Sequence, residues 1–255
     1  MTIAIYAQYR RTLKSMPIAG LAMPYGWIAL PKDLEVNWWA YDWMLKEYAE
    51  GLANAINQLT FHERSLRAWS TVLEGLPEEK RYPVAHEFVD APATVAVNLP
   101  YVIRERFAFA AAHLCHQANQ LKLSPWFDDF PADSKINPKK ADKYGNSWES
   151  YSQLKKCWDN ISGRDYQDNT RDFRSVYTHR LQPRFVFGLS QTVTRKVNEM
   201  GGISYGFGWQ PPLQLSDVAA QLAIQRDRCY AAFEAFQGLV REHVSFIERH
   251  ARRVV

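Results

Sequence analysis

The stretch Pro100-Tyr-Val-Ile-Arg-Glu-Arg-Phe-Ala-Phe-Ala-Ala-Ala-His-Leu-Cys-His-Gln-Ala-Asn-Gln-Leu121 has a clear helical period. Its apolar residues recur at steps of three and four, which places them on one face of an α-helix. Pro100 suits the first turn of that helix, where its missing N–H leaves no hydrogen bond unmade. The stretch therefore predicts an amphipathic helix over residues 100–121. The buried stripe of this helix consists of Ile103, Phe107, Ala110, Leu114, Ala118 and Leu121.

The same period continues on the N-terminal side. One helix is predicted from about Glu35, and Thr60 followed by Glu63 matches a capping box, which predicts that a new helix begins at Thr60. The sequence Gly75-Leu-Pro77 predicts the end of that second helix. Residues 78–90 are charged and contain a proline, so we expect a loop that leads into a short helix.

Three further helices are predicted on the C-terminal side. The first covers about 148–163, and the second begins at an N-cap within Asp168–Thr170, runs to about Leu181 and is stopped by Pro183. Ser216 caps a long final helix, whose cationic end complements the helix dipole.

Three segments lack this period. Residues 1–34 are expected to be an irregular N-terminal segment, and residues 123–147 a long surface loop with turn residues and a lysine-rich turn. Residues 184–210 alternate around two glycines and predict a β-hairpin. The sequence therefore predicts an all-α fold with one domain over 1–255. We expect an irregular helical bundle of five or six main helices with a small β-hairpin insertion.

The composition, the net charge and the cysteine spacing limit which class of protein this chain can be. A hydrophobic content of 47% with 23% charged residues is that of a globular chain, and a net charge of +4 permits nucleic acid as a partner without requiring it. Cys115, Cys157 and Cys229 are far apart and form no C-x-x-C pair, which favours a reducing, cytoplasmic location. The apolar residues 16–31 are broken by prolines and glycines, so we expect no membrane span.

Two groups of residues contain the residue types of a metal site and of a catalytic triad, but their spacing argues against both. His113 and His116 share a helix face, but no carboxylate stands beside them at helical spacing, so we expect no metal and no cofactor. Asp172, Ser175 and His179 are the residue types of a triad. A working triad, however, brings its base from another part of the fold, whereas these three would lie along one helix.

The segment from Arg171 to Pro183 concentrates the groups that can do chemistry. Arg174 and His179 stand five residues apart within it, so their side chains leave an ideal helix about 140° apart. The structural alternative is a solvated helix face, with arginines paired to Asp172 while Phe173 and Tyr177 pack in the core.

The sequence Arg174-Ser-Val-Tyr-Thr-His179-Arg, in an otherwise helical chain, resembles the R-x(4–6)-H signature of the HEPN superfamily. The resemblance covers the central and C-terminal helices. It implies a helical bundle that dimerises so that two such motifs face one cleft. Many HEPN proteins are metal-independent ribonucleases of toxin and phage-defence systems, while others bind nucleotides or act as scaffolds.

The resemblance also implies roles for the residues of the motif. We expect His179 and Arg174 to be catalytic in an endoribonuclease acting on single-stranded or looped RNA, with His179 moving a proton and Arg174 holding the phosphate. RNA or phosphate binding is expected from Arg171, Ser175, Tyr177, Arg180 and Arg184. The partners implied are RNA or a nucleotide, a second copy in a homodimer, and a protein such as an antitoxin. The alternative function is a non-catalytic helical domain that binds a nucleotide or a protein.

Overall fold

The computed structural model describes residues 2–31, 36–181, 183–190, 192–198 and 201–251. These residues are mostly helical and include one two-stranded antiparallel sheet, which confirms the all-α class with a hairpin. The helices are more numerous than the five or six predicted. The elements are α1 (Thr2–Ser15), α2 (Val36–Glu74), α3 (Glu78–Phe88), α4 (Asp90–Ala118), α5 (Pro138–Gly145), α6 (Tyr151–Asp159), α7 (Arg164–Asn169), α8 (Phe173–His179), β1 (Val193–Val197), β2 (Ile203–Phe207) and α9 (Leu215–Ala251).

Backbone contacts divide the chain into two compact units. Unit 1 comprises Met1–Ala19, Leu59–Leu99 and Gly163–Ile224, and unit 2 comprises Gly20–Gln58, Pro100–Ser162 and Gln225–Val255. Three of the five boundaries fall inside α2, α4 and α9. The single domain expected from the sequence stays a prediction.

Unit 1 has an aromatic stack at its centre. The rings of Tyr9 and Trp69 lie parallel with centroids 4.2 Å apart, and Trp69 stacks on Phe88 at 5.3 Å. The hydroxyl of Tyr9 bonds that of Ser65 at 2.8 Å, so its polar end is satisfied within the core. Arg64 donates to the carbonyls of Leu13 and Met16 at the end of α1, where carbonyls lack helical partners.

Unit 2 buries a larger set of aromatic and polar side chains. Its core contains Tyr41, Phe107, Tyr151, Trp158, Phe233 and Phe236. Asn119 is buried with its hydrogen bonds made: it accepts from the indole N–H of Trp148 at 2.8 Å and donates to the carbonyl of Tyr144 at 3.0 Å. Buried amides of this kind stabilise a core only when their partners are in place.

The predicted break at Thr60 is wrong, because α2 runs without interruption from Val36 to Glu74. Glu63 does not cap a helix start. Its buried carboxylate accepts a hydrogen bond from Arg67 Nε, one turn later, at 3.0 Å. No proline or glycine stands near Thr60, so nothing in the backbone forces the helix to end there.

Helix α4 begins ten residues earlier than predicted, at Asp90 rather than Pro100. The start signals are Asp90 and Pro92, an acidic residue and a proline in the first turn. Pro100 is buried and lies inside the helix. Tertiary packing offsets the hydrogen bond that its missing N–H leaves unmade, so Pro100 does not mark the start of the helix as predicted. The segment 78–90, expected to be a loop that leads into a short helix, is helix α3 over most of its length.

Two segments predicted to lack regular structure are partly helical. Helix α1 occupies residues 2–15 of the N-terminal segment because Ile5 and Tyr9, one turn apart, are buried together on its inner face. Residues 16–31 lack helix and strand, and residues 32–34 lie outside the described residues. The lysine-rich turn is helix α5, with Pro138 in its first turn and the side chain of Asn137 accepting from the N–H of Lys140 at 3.2 Å.

The hairpin is confirmed between residues 184 and 210, as two five-residue strands in register from Val193 opposite Phe207 to Val197 opposite Ile203. Gln191, Glu199 and Met200 of this segment lie outside the described residues. Among the helices that the structure describes, none combines the length and apolar character needed to cross a bilayer.

Candidate nucleic-acid interface

The candidate segment is divided by a sharp backbone break. One helix was predicted from Asp168–Thr170 to Leu181, but α7 ends at Asn169 and α8 begins at Phe173. Arg171 and Asp172 between them adopt left-handed φ values of 57° and 49°. Two consecutive residues in this region end a right-handed helix. The predicted N-cap residues therefore close α7, and α8 is only seven residues long.

Helix α8 is held to unit 1 by its apolar face. Phe173 and Val176, three residues apart, are buried. The ring of Phe173 packs on that of Phe185 at 5.1 Å and stacks on that of Tyr177 at 5.8 Å. Arg180 is extended and ends the helix two residues earlier than predicted. This anchoring turns the polar residues of α8 outward.

The two residues of the R-x(4–6)-H motif are both exposed on α8. His179 is the last helical residue, and its side chain makes no hydrogen bond or ion pair within the described part of the chain. Ser175 is half-buried, and its hydroxyl likewise has no hydrogen-bond partner among described residues, so no bond orients the imidazole. The histidine is accessible to a ligand from solvent.

Three of the predicted binding residues meet in one open cavity of about 540 Å³. Tyr177, Arg180 and Arg184 all contribute to its wall, and none of its described lining residues is acidic. Tyr177 is about half exposed there. The remaining lining residues are Leu181, Leu189, Ser190, Thr192 and Val193. The chain thus brings two guanidinium groups and a phenol ring to one concave surface.

A buried hydroxyl in the wall of this cavity lacks a partner. Ser190 is 8% exposed, and its Oγ finds no hydrogen-bond partner in the described structure. Its backbone bonds that of Gln210 in both directions, so the position of the residue is fixed. An orphaned buried hydroxyl costs free energy unless a ligand or water satisfies it. Sequence reasoning missed Ser190 because no pattern in the sequence shows that it lies in the same cavity wall as Arg180 and Arg184.

Arg171, also predicted to bind phosphate, donates a hydrogen bond from Nη1 to the carbonyl of Pro211. This bond ties the α7–α8 break to the residues that precede α9. Arg171 has a structural partner and lies outside the cavity lining. Neither Arg174 nor His179 lines the cavity.

A second polar cluster lies in unit 2, on α4. His113 and His116 approach carboxylates of the following loop, at 3.4 Å from Asp133 and 3.0 Å from Asp128. Burial lowers the pKa of His113 below its usual value, although Asp133 raises it. Within the described residues no three histidine, cysteine or acidic side chains are grouped so as to hold a metal ion. The sequence did not reveal these carboxylates because they reach the histidines by tertiary contact.

A third cluster is sealed in the core of unit 2. His243 Nδ1 lies 2.8 Å from the Tyr41 hydroxyl, and its Nε2 lies 3.7 Å from Cys115 Sγ. Burial lowers the pKa of His243 to about 3, with a smaller contribution from Lys122. Burial also raises the pKa values of Tyr41 and Cys115 well above their usual ranges. These groups are neutral at physiological pH and enclosed, so the cluster is structural.

Comparison with protein-family models, with curated proteins and with solved structures found no significant match.

Proposed function

We propose that the protein binds single-stranded or looped RNA at the cavity between α8 and β1. The observation that carries this proposal is the meeting of Arg180, Arg184 and Tyr177 in the lining of one open cavity. Its volume of about 540 Å³ is that of an ordinary small-ligand site.

Each of these groups suits a part of a nucleotide. A guanidinium presents forked donors that match phosphate oxygens, and two of them neutralise neighbouring phosphates. The ring of Tyr177 offers a face on which an unpaired base stacks, as in other proteins that bind single strands.

The binding test removes both cations of the cavity. Arg180→Ala/Arg184→Ala should weaken binding of a fluorescent single-stranded RNA about tenfold or more at low salt in fluorescence anisotropy. It should also flatten the slope of log Kd against log salt concentration by about 1.4, since each phosphate contact on a single strand contributes about 0.7. Arg10→Ala/Arg11→Ala is the matched control, because it removes two exposed arginines from α1 of the same unit. Equal losses in both variants would refute binding at the cavity.

The second candidate function is RNA cleavage, which the exposure of His179 favours. An accessible imidazole can take the proton of a ribose 2′-hydroxyl, whose oxygen then attacks the phosphorus while the 5′-oxygen leaves and receives a proton. Arg174, exposed on the same helix, would stabilise the charge that develops on the phosphate. Because neither residue lines the cavity, the scissile phosphate would lie beside it rather than in it.

The cleavage test separates the two candidates. In EDTA, wild type should degrade single-stranded RNA and His179→Ala should lose nearly all of that activity, while both bind a 2′-O-methyl RNA equally. Equal degradation by the two proteins, or none by either, would remove the catalytic candidate and leave binding in place.

The remaining parts of the proposal come from the HEPN resemblance. They are a homodimer that places two Arg174–His179 pairs at one cleft, a cytoplasmic location, and a toxin or phage-defence role with an antitoxin partner. A nucleotide or a protein is the alternative ligand of the same surface. Sedimentation equilibrium with and without RNA tests the homodimer.

A further inference from the structure

The hairpin presents a face of large side chains that no described residue of unit 1 covers. Directly opposite residues of an antiparallel pair place their side chains on the same face. Arg195 pairs with Tyr205, and the flanking pairs are Val193 with Phe207 and Val197 with Ile203. One face of the ribbon therefore carries two aromatic rings, three aliphatic side chains and a guanidinium. We call this surface the aromatic face.

Every side chain of the aromatic face is exposed. Phe207 is 86% and Tyr205 61% exposed, and Trp209, just beyond β2, is 69% exposed. An isolated two-stranded ribbon is only marginally stable in water. Its apolar side chains do not stabilise it while they are exposed to solvent. Contiguous apolar surface of this kind marks a site of interaction.

The aromatic face begins at the cavity described above. Val193 lines the cavity and is also the first residue of β1, directly opposite Phe207. Tyr205 and Phe207 are two residues apart on one strand, so they lie about 7 Å from each other and each offers its own ring face. A strand of ligand leaving the cavity at Val193 would meet Phe207 first and Tyr205 next.

The charges of the ribbon indicate which ligand fits. Strands β1 and β2 carry two cations, Arg195 and Lys196, and no anion, while Glu199 stands between them in the chain, outside the described residues. A second copy of the ribbon would bring like charges together, whereas a polyanion with stackable rings complements both the cations and the aromatic side chains.

We propose that the aromatic face is a stacking platform for the bases of a single RNA strand that continues out of the cavity. Tyr205 and Phe207 stack the bases, and Arg195, on the same face, neutralises a phosphate between them. This inference rests on the proposed RNA binding at the cavity. It lengthens the RNA-binding surface by about 17 Å, the length of a five-residue strand.

The test compares short and long ligands on variants that keep the ribbon folded. Tyr205→Val/Phe207→Val removes both rings but retains residues that favour strands. It should raise the Kd of a 2′-O-methyl dodecamer about tenfold or more, as expected for the loss of one or two stacked bases. The same variant should bind a 2′-O-methyl trinucleotide, which fills only the cavity, as wild type does. Tyr205→Phe/Phe207→Tyr keeps the rings and should bind the dodecamer normally, and Phe127→Val is the control for an exposed ring elsewhere.

The outcomes separate this inference from the proposed function. If the trinucleotide binds and depends on Arg180 and Arg184, but the dodecamer is indifferent to the Val variant, the platform is refuted and the cavity stands. If wild type binds neither oligonucleotide, both proposals fail. A Val variant that alters the oligomeric state by sedimentation and leaves RNA affinity unchanged would assign the face to a protein interface instead.

A photochemical experiment locates the strand directly. Dodecamers with a single 5-iodouridine should crosslink to Tyr205, Phe207 or Trp209 when peptides are mapped by mass spectrometry. Crosslinks confined to residues outside the ribbon, with binding retained, would also refute the platform.

Discussion

The core around His243 and the surface around His179 use similar residue types in opposite ways. His243 is fully buried, bonded to Tyr41 and held neutral, whereas His179 is exposed and its side chain has no partner among described residues. A tyrosine accompanies each histidine, but Tyr41 is enclosed in the core and Tyr177 faces an open cavity. A buried side chain whose polar atoms are all hydrogen-bonded stabilises the fold. An exposed side chain without a hydrogen-bond partner is available to a ligand.

The largest expected difference comes from the same substitution at both histidines. His243→Ala leaves a cavity in the core and an unpaired Tyr41 hydroxyl, so the free energy of unfolding should fall by about 3 kcal/mol. His179→Ala should change it by less than about 0.5 kcal/mol, as expected for an exposed site. Urea unfolding followed by tryptophan fluorescence measures both. Similar losses at the two positions would contradict the contrast.

A smaller effect is expected when only a hydroxyl is removed. Tyr41→Phe leaves Nδ1 of the buried His243 without its partner and should lower the free energy of unfolding by about 1 to 3 kcal/mol. Tyr177→Phe is the matched change at the surface, and stability should stay within about 0.5 kcal/mol of wild type. The contrast fails if Tyr41→Phe is as stable as wild type.

The smallest of the three effects is a pH dependence that belongs to His243. Burial lowers the pKa of this residue from 6.5 to about 3, so the unfolded chain binds a proton between those values and the folded chain does not. Stability is therefore lost as the pH falls below about 6.5, with a slope from this group of up to about 1.4 kcal/mol per pH unit. Unfolding free energies measured from pH 7.5 to 5.5 should show a shallower slope in His243→Gln than in wild type.

The surface histidine supplies the control for that experiment. His179→Gln makes the same substitution at an exposed site, so it controls for the removal of a histidine outside the core. An identical slope in wild type and His243→Gln would show that other groups cause the pH dependence.

Local sequence patterns predicted the fold class and the hairpin, because both depend on short-range information. The stripe from Ile103 to Ala118 marked the helix face that is buried, and the alternation around Gly201-Gly202 marked the two strands. The boundaries were less predictable. Thr60 and Pro100 carry signals that usually begin a helix, yet both lie inside one, because packing along the whole helix outweighs the local preference.

The candidate site was likewise predictable in part from the sequence and in part only from the tertiary structure. The sequence alone determined that cations, aromatic rings and a histidine are concentrated between Arg171 and Arg184, because neighbours in the chain stay neighbours in space. Only the tertiary structure decided that Tyr177, Arg180 and Arg184 share a cavity with Ser190, and that Val193 joins this cavity to the hairpin. The left-handed Arg171 donates to the carbonyl of Pro211, and Phe173 packs on Phe185, so contacts beyond the local sequence hold α8 in place.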